Sequence, residues 1–194
     1  MINQAYPGEE ELGVSLPEGQ EGLLFDISTP VNISNASLLG FEIGFNQHFT
    51  FLPGFAKGFG LRANYSFTEG SFDDASLSDE TVGFPGTSKH NINGILYYEK
   101  YGLSVRFTAA YRSNYLSNIG GVGNTRADEA HYTNGTTTLG LDIKYKITKN
   151  IKVSLGVRNM TGVDIRRYIG DDTRNLTSYY GRNPTWSAGL RWSM

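Results

Sequence analysis

The sequence predicts an all-β chain: an antiparallel up-and-down meander of seven or eight long strands, part of a transmembrane β-barrel. Three observations carry this prediction. Strands alternate apolar and polar residues over unusual lengths, short turns gather at one end of the meander with long loops at the other, and aromatic residues collect near both strand ends. Gly102 to Arg112 shows the alternation most cleanly. Leu103, Val105, Phe107, Ala109 and Tyr111 fall on one face and Ser104, Arg106, Thr108, Ala110 and Arg112 on the other, because extended side chains alternate with period 2. A stretch of about eleven residues outruns the ~5–6 of an ordinary strand and matches the ~9–11 tilted residues that cross a hydrocarbon core. Periodicity alone leaves open what each face meets. The apolar face points inward in a soluble sandwich and outward into lipid in an outer-membrane barrel.

Taken in order, residues 1 to about 21 are acidic (Glu9, Glu10, Glu11, Glu18, Glu21) and contain Pro7 and Pro17, so they are expected to form a flexible or surface segment ahead of a barrel portion spanning 22–194. Leu23 to Val31 is a possible first strand, with Leu23, Phe25 and Ile27 on one face. From Leu39 the pattern sharpens: Leu39, Phe41, Ile43, Phe45, Phe49 and Phe51 face one way, Glu42, Asn46, His48 and Thr50 the other. Leu52 to Gly58 is a compact turn, where Pro53 cannot continue the ladder and Gly54 supplies positive φ. The chain returns through Phe59, Leu61, Ala63, Tyr65 and Phe67, opposed by Arg62, Asn64 and Ser66.

Glu69 to Ser88 reads as a long polar loop and Lys89 to Lys100 as the next strand, a less regular one because Ile95 and Tyr97 share a face with Asn91 and Asn93. Lys100-Tyr101-Gly102 turns tightly into the strand already described. A second long loop, about Ser113 to Gly135, is followed by Leu139, Leu141, Ile143, Tyr145 and Ile147 against Asp142, Lys144 and Lys146. After the turn Thr148-Lys149-Asn150, Ile151, Val153, Leu155 and Val157 alternate with Lys152, Ser154, Gly156 and Arg158. A third long loop, about Thr161 to Asn183, leads to a last strand with Trp186, Ala188, Leu190 and Trp192 on one face and Arg191 on the other.

The short turns, after Phe51, Tyr98 and Ile147, thus lie at one end and all three long loops at the other. Outer-membrane barrels sort their connections in this way, with short periplasmic turns and long external loops. Phe49, Phe51, Tyr98, Tyr101, Tyr145 and Trp192 lie toward the short-turn side, and Phe41, Tyr65, Phe67, Tyr111 and Trp186 toward the long-loop side, as two interfacial belts would require. The apolar faces carry no Lys, Arg, Asp or Glu, consistent with a cost of roughly 2–4 kcal/mol for Arg or Lys at mid-bilayer.

Composition bounds the rest. A chain of 194 residues with Gly 24, Tyr 12 and Phe 11 is turn-rich and aromatic-rich. Its net charge of −2, with Lys and Arg scattered, gives no reason to expect nucleic acid as a partner. The absence of Cys removes disulfides, thiolate metal sites and a cysteine nucleophile. No run of about 18 apolar residues could form a transmembrane helix, a result that leaves a β-barrel untouched. The first 21 residues lack the basic start and apolar block of a signal peptide, so export would require a leader ahead of Met1.

Several stretches, in order and spacing, resemble the carboxy-terminal barrel portion of TonB-dependent outer-membrane receptors. They are Asn32 through Ala36 to Gly40-Phe41-Glu42, Phe51-Leu52-Pro53-Gly54, Asn64-Tyr65-Ser66, Pro85-Gly86-Thr87-Ser88-Lys89-His90, Tyr98-Glu99-Lys100 with Tyr111-Arg112, Gly156-Val157-Arg158-Asn159-Met160-Thr161, and Tyr180-Gly181-Arg182. The resemblance covers about residues 25 to 193. It implies the last seven or eight strands of a barrel of about 22, located in the outer membrane of a Gram-negative type cell and surrounded by its lipid. It further implies a receptor and transporter for a small nutrient ligand such as a siderophore, vitamin or oligosaccharide. In the full-length receptor the partners would be a plug domain and the TonB energy-transducing complex. This chain shows no segment resembling the plug or the partner-binding box, so it is not expected to transport alone. The end Arg191-Trp192-Ser193-Met194 departs from the family's usual terminal Phe.

Arg166, Arg167 and Arg174 with Tyr168, Tyr179 and Tyr180 form the most ligand-like constellation, in the third external loop. Arg forks pair with carboxylates or phosphates, and Tyr both stacks and hydrogen-bonds. The structural alternative is loop packing or inter-loop ion pairing. Arg62, Arg106, Asp142, Lys144, Arg158 and Arg191 are expected to face the lumen or to pair across strands. His48, His90 and His131 lack metal-ligand spacing, and the acidic clusters Asp73-Asp74 with Asp79-Glu80, and Asp171-Asp172, lack the spaced pattern of a Ca²⁺ loop. Gly120-Gly121-Val122-Gly123 neither follows a strand nor opens a helix, and no catalytic triad or carboxylate pair stands in context. Neither an enzyme nor a cofactor is expected. Two other architectures stay open: a complete small barrel of eight strands, if Leu23 to Val31 pairs with the last strand, and a soluble carbohydrate-binding β-sandwich.

Overall fold

A computed structural model describes residues 2–7, 24–29, 35–73, 81–118, 130–170 and 172–193. Its elements are β1 (Ile2–Pro7), β2 (Leu24–Thr29), β3 (Ala36–His48), a 3-10 turn (Gly54–Gly58), β4 (Phe59–Asp73), β5 (Thr81–Gly83), β6 (His90–Lys100), β7 (Leu103–Arg112), β8 (Tyr115–Asn118), β9 (His131–Thr133), β10 (Thr136–Lys146), β11 (Ile151–Arg158), β12 (Ile165–Ile169), β13 (Leu176–Tyr180) and β14 (Thr185–Trp192). Seven of them form one antiparallel wall in the order β14-β11-β10-β7-β6-β4-β3, with β5 added to β4. The predicted meander is therefore observed. β8, β9, β12 and β13 form a second, four-stranded sheet, the crown, and β1 pairs with β2.

Register shows why the wall is two-faced. Cross-strand partners run Phe45, Ala63, Gly94, Ala109 and Leu139 in one row. A second row runs Gln47, Leu61, Leu96, Phe107, Leu141, Val157 and Trp186. Direct partners share a face, so each strand's apolar set joins its neighbour's into one continuous surface. The β6 irregularity resolves here: Ile92, Leu96 and Tyr98 lie on the apolar surface, while Ile95 and Tyr97 stand on the polar side beside Asn91 and Asn93. Neighbouring strands, not the strand's own pattern, decide its facing.

Most of the apolar surface is uncovered by the described residues, Val157 being the buried exception. Leu39, Ile43, Phe45, Trp186 and Leu190 are exposed, the last by 73%. A sandwich buries this face, and the chain does not. An eight-stranded closure through β2 is likewise not what forms: β1 and β2 make a separate two-stranded sheet, and β2 is not paired with β14. Seven alternating strands also leave β3 and β14 running the same way. The two edges therefore could not meet in an antiparallel barrel without further strands.

The short connections follow local chemistry. Tyr101 (φ 54) and Gly102 (φ 78) both take the left-handed conformation that a two-residue hairpin with native twist demands. Thr148 Oγ1 accepts the amides of Asn150 and Ile151, which folds the turn from β10 to β11. The long connections differ from the sequence expectation. β4 runs on to Asp73 inside the expected Glu69–Ser88 loop, and the second and third loops each contain two strands. Buried apolar side chains cluster at this end: Phe72 and Leu116 pack with Phe84, Ala130 and Tyr132.

Candidate functional site

The crown is built by pairing two loops that are remote in sequence. β12 is its hinge element, bonded to β9 on one side and β13 on the other. Leu116, Tyr132, Tyr168 and Leu176 stand in one cross-strand row, and Tyr115, Thr133, Arg167 and Ser178 in the next, on the opposite face. Leu116 ties the first face to Phe72 of β4. Tyr168 is buried there, its ring stacked 5.8 Å from that of Tyr132, and its hydroxyl accepts from Asn114 Nδ2 at 3.5 Å.

The six ligand candidates divide between these faces. Arg166 lies directly across from Tyr179, with its guanidinium 5.7 Å from the ring centre. Arg167, one residue on, points the other way and stands 5.6 Å from Tyr180. Such exposed cation–π contacts are worth about 0.5–1 kcal/mol each and leave N–H donors available to an anion. Arg174 belongs to neither couple. It forks onto Asp172 at 2.7–3.1 Å in the turn between β12 and β13, and this bond holds the Asp172 carboxyl below its ordinary range. Tyr168 packs rather than presents its ring to solvent.

Residues that the sequence did not single out bracket the hairpin. Asp164 accepts the Tyr179 hydroxyl and, at 3.1 Å, the Arg182 amide. Those two donors, the phenol first, hold its carboxyl below the ordinary range, and the same bond to Asp164 raises the Tyr179 phenol above its own. Asn134 Oδ1 accepts the Arg166 amide at 2.7 Å and so locks β12 against the residue after β9. Arg112 lies 3.8 Å over the Tyr115 ring and donates to Ser88 Oγ, which makes a third Arg–Tyr couple at the base of the crown. Periodicity carries no signal for these contacts, because they form across a turn or between separate loops. The Thr133 hydroxyl is buried without a hydrogen-bond partner among the described residues.

On the wall, Arg62, Arg106, Asp142, Lys144, Arg158 and Arg191 all stand on the polar side. Arg62 and Arg106 come together at a notch of about 180 Å³ that His48, Ile95, Tyr97 and Glu99 complete. Arg106 pairs with Glu99 at 2.7 Å, while His48 Nε2 meets the Lys57 carbonyl at 2.9 Å. Asp142 lies directly across from Arg106. No group of His, Asp and Glu among the described residues is placed to hold a metal ion. Asp74, Asp79, Glu80, Asp171 and the Gly120–Gly123 run lie outside the described residues.

An antiparallel wall of long, two-faced strands is the fold that the comparisons match. The family described as TonB dependent receptor-like, beta-barrel matches residues 6–160. The chain belongs to this family. Among solved structures, the siderophore receptor PiuA from Acinetobacter baumannii aligns with a TM-score of 0.56 and 14% identity, over 81% of this chain and 22% of that receptor. That likeness shows the fold, and the chain spans about a fifth of that receptor's length. No curated protein matches by sequence. The family is one of receptors, and its barrels are those of Gram-negative outer membranes. The expected membership and the barrel-type meander are thus both found.

Proposed function

We propose that the chain forms wall strands of an outer-membrane receptor that takes up a small nutrient, such as a siderophore, vitamin or oligosaccharide, with energy delivered through the TonB complex. One observation supports this most: the loops at one end are organised into a packed sheet that displays Arg–Tyr couples, while the opposite end has only short turns. A rigid loop platform at the external end holds donors and rings at fixed spacing, as capture of a dilute ligand requires. The described wall is open along β3 and β14, which supports completion of the pore by further strands; in this reading the whole receptor, with its plug, transports, and these strands do not by themselves.

The test is uptake in the producing cell. A panel of labelled ferric siderophores, cobalamin and maltodextrins is offered to the parent, a deletion strain, and strains carrying Arg166→Ala/Tyr179→Ala or Arg167→Ala/Tyr180→Ala. One class should accumulate in the parent, stop on addition of a protonophore, and vanish in the deletion strain. At least one double variant should raise the concentration needed for half-maximal uptake about tenfold. Equal accumulation of every compound in parent and deletion strains would remove the proposal.

A further inference from the structure

Along β4 the ladder on the β6 side is interrupted at the long-loop end. Phe59 to Phe67 pair with β6 and Ser71 to Asp73 with β5, and between these runs Glu69 and Gly70 have no cross-strand partner on that side among the described residues. The Thr68 amide bonds the Lys89 carbonyl at 3.0 Å, and residues two apart in a strand direct their backbone groups the same way. The Thr68 carbonyl and the Gly70 amide therefore point into the gap. Phe84 to Ser88 form a segment longer than the gap it crosses, and it leaves the sheet to join the crown, where the Gly86 amide donates to the Leu116 carbonyl at 2.7 Å. A cavity of about 220 Å³ lies in this break, between the end of the wall and the crown's edge strand β8.

Its lining decides what fits. Phe84, Tyr115 and Tyr132 supply rings, each packed against a second group: Phe72 lies 5.3 Å from Phe84, Tyr168 5.8 Å from Tyr132, and Arg112 3.8 Å over Tyr115. Thr87 and Asn114 stand beside them with a hydroxyl and an amide. Lys89 and Glu69 are the charged residues of the rim, and they neutralise each other at 2.6 Å. An anionic chelate would find no unpaired cation among the described lining residues, and Arg112 nearby donates to Ser88 Oγ and the Gly86 carbonyl. An apolar ligand would strand the main-chain groups that point into the gap. A sugar ring meets both demands: its C–H faces are apolar and lie against aromatic rings, while its hydroxyls donate and accept around its edge.

We infer that this cavity binds one unit of a neutral oligosaccharide. The inference names the nutrient class of the receptor proposed above and rests on that reading for the cavity's external position. The whole receptor, purified from producing cells in an amine-oxide detergent that carries no sugar, is offered glucose, galactose, mannose, N-acetylglucosamine and linear oligomers of each. At least one should bind saturably, and saturation of the protein's aromatic protons should transfer to the ring C–H protons of that sugar. Tyr115→Ala and Asn114→Ala should each weaken binding about tenfold, and Lys149→Ala on a short turn should leave it unchanged. A diazirine derivative of the bound sugar, used on the unaltered receptor, should label peptides that contain Phe84, Thr87 or Tyr115.

Three outcomes overturn the site: no member of the panel binds, binding is equal in the Tyr115→Ala, Asn114→Ala and Lys149→Ala receptors, or the label falls only on other peptides. The two readings fail separately. Sugar bound at the cavity with no sugar accumulating in producing cells removes the receptor reading and leaves the site. Protonophore-sensitive accumulation of a ferric siderophore or cobalamin, with no sugar bound, removes the site and leaves the receptor.

Discussion

The wall and the crown are both antiparallel sheets, yet they are held by different forces. The β3–β4 ladder runs from Ala36–Phe72 to His48–Gly60 without a register shift, and large apolar side chains on its outer side stay exposed. The crown ladders shift register between Arg167 and Tyr168 and between Leu116 and Asn118, yet Leu116, Tyr168 and Ile169 are buried. Among the buried apolar residues described, Phe72 at the end of β4 and Val157 of β11 belong to wall strands. The wall thus satisfies its backbone through hydrogen bonds and leaves most of its apolar surface to the surrounding medium, whereas the crown packs a small core against the end of β4. A perfect alternation marks a strand whose solvent differs on its two sides. A broken one marks a strand packed by tertiary neighbours.

The largest effect should come from charging the wall's outer face. Phe107→Arg places a guanidinium near mid-bilayer and is expected to cost about 2–4 kcal/mol in lipid vesicles, read from denaturant unfolding, and far less in micelles that let water reach the site. A similar cost in both media would mean that Phe107 packs against protein. Next comes the crown. Leu116→Ala should cost about 2–3 kcal/mol, confined to β8, β9, β12 and β13, because it empties part of the Phe72 cluster. Hydrogen exchange resolved by segment checks this: crown amides should lose protection while β10 and β11 keep theirs.

A smaller effect separates the two regions by pH. The Asp164 carboxyl is held below its ordinary value of 3.8 by the Tyr179 hydroxyl and the Arg182 amide. A depressed folded pKa contributes stability in full above the unfolded value, and that stability is lost as the pH falls through the folded value. The β12–β13 hairpin should therefore loosen only below about pH 4, with the wall unaffected. Tyr179→Phe should move the Asp164 carbon-13 titration midpoint upward. A midpoint that does not move would show that the phenol bond is absent in solution.

The wall was legible because period 2 and loop sorting are properties of the sequence itself. Leu103 through Tyr111 and Leu139 through Tyr145 announce their facing without help. His90 to Lys100 did not, since Ile95 and Tyr97 follow the polar side and only pairing with β4 and β7 reveals it. The crown was legible in composition and not in geometry. Arg166, Arg167, Tyr179 and Tyr180 were visible as a cluster, but adjacent residues of a strand point oppositely, so one cluster became two couples. Asn134 and Tyr132 act through partners in another loop, and Asp164 through Tyr179 and Arg182 at the far strand of its own hairpin, which no local pattern encodes.

The most direct test of the central claim uses the chain's two tryptophans, Trp186 and Trp192, which lie toward opposite ends of β14 on the apolar face and are exposed by 69% and 68%. Each is examined alone, with the other replaced by Phe, in vesicles whose acyl chains carry bromine at defined depths. The account predicts strong quenching of both, greatest for bromines near the headgroups, with each residue at its own interface. Fluorescence that is unquenched by brominated lipid, from a chain that folds in buffer without detergent, would contradict it.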